Sequence, residues 1–268
     1  ALHVLYAHKL LITEAAAPSF ARMHKLQTLS LKQCPLSDKI APHLAKLTGL
    51  VSLDLSGTRI TTAALASLRA LTKLQFLGLA DTRVDNGVWT RIARLRHLQW
   101  LHLERTKVTG GDLEHAAKAG SPVAIYLDGT KFNPKLLAVL GRSLRLKILS
   151  LKKVPVTDAH LRYLRKCKAL EELELGSTRI TGKSLRTVSG FPQLRRLGLS
   201  NTKVTISSLR RLRRLRKLVE LDLGFTEVGD GVFSTLRALP SLRKLHLFGA
   251  NCTKGRIRKF MRRRPEVA

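Results

Sequence analysis

The chain has few acidic residues, few cysteines and no long apolar run. Of its 268 residues, 18 are Asp or Glu against 49 Lys or Arg, which gives a formal net charge of +31. Three cysteines are too few for a disulfide scaffold. No run of about 18 uncharged apolar residues is present, so no membrane insertion is predicted. The positive excess favours polyanionic partners (nucleic acid, anionic lipid or acidic protein) and argues against a free-standing metabolic enzyme.

The residue patterns of catalysis and cofactor binding are also missing. The sequence has no CxxC pair for zinc and no glycine-rich phosphate loop, and its nine histidines are scattered. No Ser/His/Asp or paired-carboxylate arrangement recurs, and Cys34, Cys167 and Cys252 are predicted to be small buried hydrophobes. We therefore predict no enzymatic activity, no metal, no cofactor and no small-molecule substrate.

Leucine recurs with a period of 24 residues, which is the dominant feature of the sequence. Numbering each repeat from 1 to 24, positions 1, 4 and 6 are leucine in nearly every repeat. No linker or second domain fits, so we predict one solenoid over residues 1–268 with a basic C-terminal tail over residues 254–268. The repeats start at residues 2, 26, 50, 74, 98, 122, 146, 170, 194, 218 and 242.

Each repeat changes its apolar spacing partway along. Alternation at positions 4 and 6 predicts a short strand, and apolar residues three apart, such as Leu209, Leu212 and Leu215, predict one buried face of a short helix. Position 12 is most often Thr, which can cap the N-terminus of that helix. Neither element can bury its apolar face alone, so the repeats must stack with parallel strands about 4.8 Å apart.

The run LxxLxLxxTx[IV]Txxx[LF]xxL resembles the leucine-rich repeat, as in LVSLDLSGTRITTAALASL and LEELELGSTRITGKSLRTV. It looks most like the cysteine-containing subclass found beside F-box segments. It departs from that subclass in repeat length, in having Thr where Cys is usual, and in lacking an F-box-like segment. The resemblance implies an α/β solenoid of about eleven repeats, with a curved parallel sheet inside and short helices outside. It also implies a binding surface, without specifying the partner.

The ends of the chain bear on its extent. The sequence begins at Ala1 already in register, and neither end looks like the polar cap that repeat arrays usually carry. We therefore expect part of a longer or processed protein, so the absence of a targeting segment does not inform the compartment.

Charge should divide between the two faces of the solenoid. Positions 3, 5 and 7 alternate with buried leucines and should form the inner surface of the sheet. Because few bases occur there, the positive excess must lie elsewhere. The acids at these positions are Asp54, Glu104, Asp128, Glu172, Glu174, Glu220 and Asp222, against the bases Lys32, Lys152, Arg196 and Lys244.

Three groups of cations are candidate RNA-binding residues, since Lys and Arg bind phosphates largely without regard to sequence. A solvated helix face with an arginine bias is the alternative, but such a face normally mixes both signs. Position 10 supplies a rim stripe: Arg59, Arg83, Lys107, Lys131, Arg179 and Lys203. The run LRRLRRLRK supplies Arg210, Arg211, Arg213, Arg214, Arg216 and Lys217, and the tail supplies Arg256, Arg258, Arg262 and Arg263.

Aromatic and acidic residues on the inner face predict a second, protein-binding surface, because exposed aromatics resemble an interaction hot spot. Two alternatives are that flanking segments cover the aromatics or that they stack on bases. The predicted protein-binding residues are Phe76, Trp100, Glu104, Tyr126, Asp128, Glu172 and Glu174.

Three functions compete. The favoured one is a non-catalytic scaffold of a large ribonucleoprotein, such as a ribosomal subunit or assembly intermediate, bound to structured RNA (rRNA) and to neighbouring proteins. Analogy with repeat proteins of mitochondrial ribosomes favours the mitochondrion, with the cytoplasm or nucleus as the alternative. The second is a substrate-recognition module such as a ubiquitin-ligase receptor. The third is a membrane-surface or cytoskeletal adaptor, which no lipidation motif supports.

Overall fold

The computed structural model describes residues 2–118 and 122–268, without the side chains of residues 116–118. It contains two compact units, an N-terminal unit of Ala1–Phe132 and a C-terminal unit of Asn133–Ala268. The predicted repeat is confirmed in both, because every repeat forms one strand at positions 3 to 5 followed by a short helix.

All strands are three residues long and pair in parallel with their neighbours along the chain within each unit. The period fixes the register: each residue pairs with the one a full repeat later, as Leu53 does with Leu77. The N-terminal unit contains β1 (Val4–Tyr6), β2 (Thr28–Ser30), β3 (Ser52–Asp54), β4 (Phe76–Gly78), β5 (Trp100–His102) and β6 (Ala124–Tyr126). The C-terminal unit contains β7 (Ile148–Ser150), β8 (Glu172–Glu174), β9 (Arg196–Gly198), β10 (Glu220–Asp222) and β11 (Lys244–His246).

The helices lie on the opposite side of each repeat from the strand, and we call this side the helical face. In the N-terminal unit they are α1 (Ala17–Ala21), α2 (Ala41–Leu44), α3 (Ala64–Leu68), α4 (Val88–Ile92) and α5 (Leu113–Lys118). In the C-terminal unit they are α6 (Leu137–Leu140), α7 (Asp158–Leu161), α8 (Leu185–Val188), α9 (Ile206–Leu209), α10 (Val232–Leu236) and α11 (Lys254–Arg263). Short 3-10 helices extend some of these at Glu14–Ala16, Asp38–Ile40, Pro134–Leu136, Arg162–Lys166, Gly182–Ser184 and Arg210–Arg214.

The apolar spacing of three reflects a 3-10 helix more than an α-helix. Leu209 ends α9, and the following 3-10 helix contains Leu212 and leads into Leu215. A 3-10 helix has three residues per turn, so residues three apart lie on one side. All three leucines are buried, so the predicted buried face is confirmed although the helix is tighter than expected.

The core consists of the repeated leucines with one polar ladder beside them. At position 9, the hydroxyl of Thr82 donates to the carbonyl of Leu79 at 2.6 Å, and Thr202 donates to Leu199 at the same distance. Both threonines are more than nine-tenths buried, so the hydroxyls need these partners. Threonine therefore serves at this position because the carbonyl three residues earlier satisfies its hydroxyl.

A left-handed turn follows every strand, which the sequence pattern does not reveal. Position 8 has a positive φ of 50–73° in all eleven repeats, and only three of these residues are glycine. A positive φ is strained for residues other than glycine. In nine repeats a backbone hydrogen bond to the next repeat holds the turn in place, as when the N–H of Gln33 donates to Ser56 O at 2.7 Å and that of Asn201 to Gly224 O at 2.8 Å.

The residue after position 12 links successive repeats through its side chain. Asp38 accepts hydrogen bonds from the N–H and hydroxyl of Thr61, at 2.7 and 2.6 Å. The same contact joins Asp158 to Thr181 at 2.8 and 2.6 Å. We call these contacts the inter-repeat ladder. They explain why acids recur at position 13, which the repeat pattern alone does not explain.

The predicted helix caps at position 12 are confirmed only in part. Thr157 and Thr205 form capping boxes, and Thr181 accepts from a helix N–H. Thr13 and Ser37 form no such cap, and the Ser37 hydroxyl donates to Glu14 in the inter-repeat ladder.

The basic segment 254–268 is not an extended tail. Residues Lys254–Arg263 form α11, and its buried Phe260 packs on Phe233 with ring centroids 5.1 Å apart. Beyond the helix, the backbone of Ala268 bonds to Leu245 and Arg243 at β11. Arg264 donates to four main-chain carbonyls, three in repeat 10 and that of Leu242 in repeat 11. The segment therefore packs against repeats 10 and 11 as part of the fold, which the charge of its sequence did not indicate.

Candidate functional site

The acidic residues are largely committed to contacts that hold the fold together. Seven lie on the inner face, and five take part in the inter-repeat ladder: Glu14, Asp38, Asp85, Asp158 and Asp230. Three more pair with a neighbouring base: Asp81 with Arg105, Glu171 with Lys147, and Glu266 with Arg264. Few carboxylates remain to neutralise the helical face.

The uncompensated charge is concentrated in the C-terminal unit. That unit has 32 Lys and Arg against nine Asp and Glu, a net charge of +23, whereas the N-terminal unit has 17 against nine, a net charge of +8. All sixteen predicted RNA-binding cations are exposed. No carboxylate within the described residues forms an ion pair with any of them.

The rim stripe is ordered by the backbone. The N–H of Arg59, Arg83 and Lys107 each donates to position 11 of the preceding repeat, at 2.8, 3.0 and 2.9 Å. Together with Lys131, these residues supply one cation per repeat at a spacing close to that of strands, about 4.8 Å. In the C-terminal unit, Arg179 and Lys203 occupy the same position.

The helical face of the C-terminal unit contains a cleft of about 550 Å³ that the sequence pattern does not predict. It lies between α8 and the segment formed by α9 and its 3-10 extension. Its lining is polar throughout: Arg186, Ser189, Ser207, Arg210, Arg211 and Arg214. Of these, Arg186 and Ser189 were not predicted because they belong to the preceding repeat, which only stacking brings beside the arginines, and Ser207 was not predicted because it lies outside the basic run LRRLRRLRK.

The predicted aromatic surface forms a compact cluster on the inner face of the N-terminal unit. The ring of His102 stacks on Tyr126, with centroids 4.1 Å apart and planes inclined by 12°, and lies 5.1 Å from Phe76. Trp100 stands beside it and is 37% exposed. His102 was not predicted as part of this site, although its place on the strand between the predicted aromatics could have indicated it.

Glu104 gives this aromatic cluster a negative charge. Its Oε1 lies 2.9 Å from Nδ1 of His102, while its buried Oε2 has no hydrogen-bond partner within the described part of the chain. The Glu104 side chain as a whole is partly exposed, so its charge favours a basic partner on this part of the inner face. Asp128 lies partly exposed at the equivalent position of the next repeat.

The predicted protein-binding residues Glu172 and Glu174 lie apart from this cluster in sequence and already have partners. Glu172 pairs with Arg196 at 3.0 Å and Glu174 with Lys152 at 3.1 Å. Burial raises the pKa of Glu174, although the Lys152 ammonium opposes that shift. A Cβ at Gly198 would lie 1.9 Å from the Glu174 carboxylate, so the glycine leaves room for this ion pair.

The cysteines show no feature of a reactive or metal-binding site. Cys34 and Cys167 are buried as predicted, whereas Cys252 is only partly buried. Burial raises the pKa of Cys167 to about 11. Within residues 2–118 and 122–268, no group of three metal-ligating side chains is found. Over the same residues, no helix has the length and apolar character needed to cross a bilayer.

The fold and its surfaces define a repeat scaffold suited to binding other macromolecules. A family model described as a leucine-rich repeat region matches residues 12–264, so the chain belongs to the leucine-rich repeat family. The resemblance inferred from the repeat motif is thereby confirmed. No match was found among curated proteins.

Two solved structures illustrate the likeness. An internalin (inlF) of Listeria monocytogenes is 18% identical with a TM-score of 0.53, and the alignment covers 87% of this chain and 77% of that one. A leucine-rich repeat protein of Leptospira interrogans is 20% identical with a TM-score of 0.63, with coverage of 100% and 71%. At these identities the likeness establishes the fold alone.

Proposed function

We propose that this protein is a non-catalytic scaffold that binds RNA in a large ribonucleoprotein through the helical face and rim of its C-terminal unit. The observation that supports this most is the charge distribution: a net charge of +23 on that unit, whose predicted RNA-binding cations form no ion pair with a carboxylate of the described residues. Phosphates would replace the missing counter-charges and release condensed counterions on binding. We favour a ribosomal subunit or its assembly intermediate as the particle. The ligand would then be rRNA and the compartment the mitochondrion.

The test measures RNA binding by the purified chain at increasing salt concentrations, with fluorescence anisotropy as the readout. If about six phosphates are neutralised, raising salt from about 50 to 200 mM should weaken association about a thousandfold. In cell extract, the protein should sediment with large particles, and RNase or moderate salt should release it. Sedimentation that resists both treatments would contradict the proposal and favour a protein-only receptor, such as a ubiquitin-ligase module.

The aromatic cluster supports a second role in which the same scaffold holds a neighbouring protein. An exposed Trp100 beside stacked rings offers large contact area, and the partly exposed acids Glu104 and Asp128 favour a partner that supplies a cation. We propose that this surface binds a basic or mixed polypeptide segment.

Substitutions in the cluster test this second role separately. Trp100→Ala and Glu104→Lys should each abolish an RNase-resistant protein partner while leaving RNA affinity within about twofold, since neither residue belongs to the cationic surface. Leu144→Ala removes an exposed apolar side chain of the C-terminal unit and should retain the partner. Unchanged recovery with both cluster variants would exclude the role.

A further inference from the structure

The cleft between α8 and α9 is one of three that adjoin one another on the helical face of the C-terminal unit. A cleft of about 270 Å³ on one side shares Arg186 with it, and one of about 450 Å³ on the other shares Ser207 and Arg211. We call the three together the cationic track. Its cations are Arg165, Lys168, Arg186, Arg210, Arg214, Arg211, Lys183 and Lys203.

The track joins two groups of cations that are separate in the sequence. Lys203 belongs to the rim stripe, whereas Arg210, Arg211 and Arg214 belong to the 3-10 helix after α9. The third cleft contains both Lys203 and Arg211, so one continuous polar channel runs from the helical face to the rim.

The lining indicates which part of a ligand the track would contact. Every lining residue is Arg, Lys, Ser, Thr or Gly, and none is aromatic or aliphatic. The clefts therefore offer no ring on which a base could stack and no apolar side chain that could insert into a membrane. Guanidinium groups and hydroxyls instead suit phosphate oxygens, which accept two parallel hydrogen bonds from one Arg.

The cations of the track are available for such contacts. None of the eight takes part in an ion pair within the described residues, and Lys168 makes only a 2.9 Å hydrogen bond to the carbonyl of Gly190. In the cleft between α8 and α9, which is the central cleft of the track, four arginines therefore lie close together with like charge. This arrangement is unfavourable until an anion enters.

We propose that the cationic track is the path of a single-stranded RNA segment, with its phosphodiester backbone seated in successive clefts and its bases turned outward. This rests on the proposed RNA-binding function and specifies its ligand and route. A chain that bends at each nucleotide can follow connected clefts, whereas a rigid duplex would span them. Binding along the track is therefore strong but independent of sequence.

The experiment compares two pairs of arginines from one segment. Arg211→Gln with Arg214→Gln changes the central cleft. Arg213→Gln with Arg216→Gln removes the same charge from neighbouring exposed positions that do not line it. Binding of a single-stranded oligonucleotide of about 12 uridines is measured by anisotropy across salt concentrations. All four residues are exposed, and circular dichroism checks that both variants keep the fold.

The cleft pair should lose about 30- to 100-fold in affinity, at about tenfold for each charge-assisted contact. Its salt slope should fall by about 1.4, at about 0.7 per phosphate on a single strand. Arg213 and Arg216 belong to the predicted RNA-binding surface but not to the track, so the matched pair should lose affinity by a clearly smaller factor, about three- to tenfold. Arg186→Gln, which affects two clefts at once, should weaken binding about tenfold alone.

Several outcomes would overturn the inference, and they separate it from the proposed function. Equal losses in the two pairs, or tighter binding of a duplex than of the single strand, would reject the path while RNA binding stands. Loss of binding to phosphatidylserine vesicles in the cleft pair, with RNA affinity unchanged, would make the track a lipid-headgroup surface. No RNA binding by the unmodified protein at about 50 mM salt would reject both.

Discussion

Replacing Asp158 should distinguish a structural carboxylate from a surface charge. Its two oxygens accept from the N–H and the hydroxyl of Thr181, at 2.8 and 2.6 Å, and thereby join repeats 7 and 8. Asp158→Ala removes both acceptors. A hydrogen bond to a charged group contributes about 1.5 kcal/mol at the lower end, and the site is partly buried, so we expect a loss of about 2–3 kcal/mol.

The molecule itself supplies the control for this prediction. In the equivalent place between repeats 4 and 5, Asn86 accepts from the N–H of Thr109 at 2.8 Å and donates to its hydroxyl at 2.7 Å. Asn can therefore bond to the same two groups, because the threonine hydroxyl then accepts a hydrogen bond instead of donating one. Asp158→Asn should accordingly cost less than about 1 kcal/mol.

Urea unfolding followed by circular dichroism measures both variants, and thermal unfolding should show a Tm about 5 °C lower for Asp158→Ala. If Asp158→Asn were as unstable as Asp158→Ala, negative charge rather than hydrogen bonding would hold the repeats. If Asp158→Ala cost less than about 0.5 kcal/mol, the inter-repeat ladder would be a consequence of stacking and not a contributor to it.

Three further predictions concern buried or hydrogen-bonded side chains. Thr82→Val removes the hydroxyl bond of the core ladder and should cost about 1 kcal/mol in urea unfolding, whereas Thr72→Val at an exposed position should cost less than about 0.3 kcal/mol. The pKa of Glu14 is lowered from its ordinary value of 4.5 because Ser37 donates to it. The stabilising effect of the ionised Glu14 is therefore present above pH 4.5 and is lost as pH falls through the lowered pKa. The difference in unfolding free energy between the unmodified protein and Glu14→Gln should accordingly shrink on acidification. A difference that stays constant with pH would contradict this. Because burial raises the pKa of Cys167 to about 11, iodoacetamide at about pH 8 should modify it only after unfolding, and rapid labelling of the native protein, detected by mass spectrometry, would show the site to be open.

Periodicity makes the architecture predictable from the sequence. Because Leu53 and Leu77 stand one period apart, the register of β3 and β4 follows once the strands stack. The exposure of cations such as Arg211 and Arg213 follows in the same way, because leucines at fixed positions fill the core and the residues between them face solvent. These features depend on local pattern and repetition, which a single sequence displays fully.

The candidate sites are less accessible to this reasoning. The aromatic cluster was predicted from Phe76, Trp100 and Tyr126, but the stacked His102 at its centre was missed, because its place between these aromatics was the only signal and the histidines themselves form no pattern. Glu172 was predicted as a protein-binding acid, and its ion pair with Arg196 could not be foreseen from the sequence. Alternation along a strand shows which side a residue faces, but not which neighbour its side chain will meet.

A constant period leaves one way to bury the apolar positions, so the number of repeats, their strand register, the buried leucines and the exposure of the predicted cations could all be read from the amino-acid order. Other features needed the folded chain: which charges are neutralised, how Asp158 reaches Thr181 in the next repeat, where α11 packs, and that Arg186 shares a cleft with Arg214. Those contacts join side chains of different repeats, and their geometry depends on rotamers and distances that exist only after the repeats have stacked.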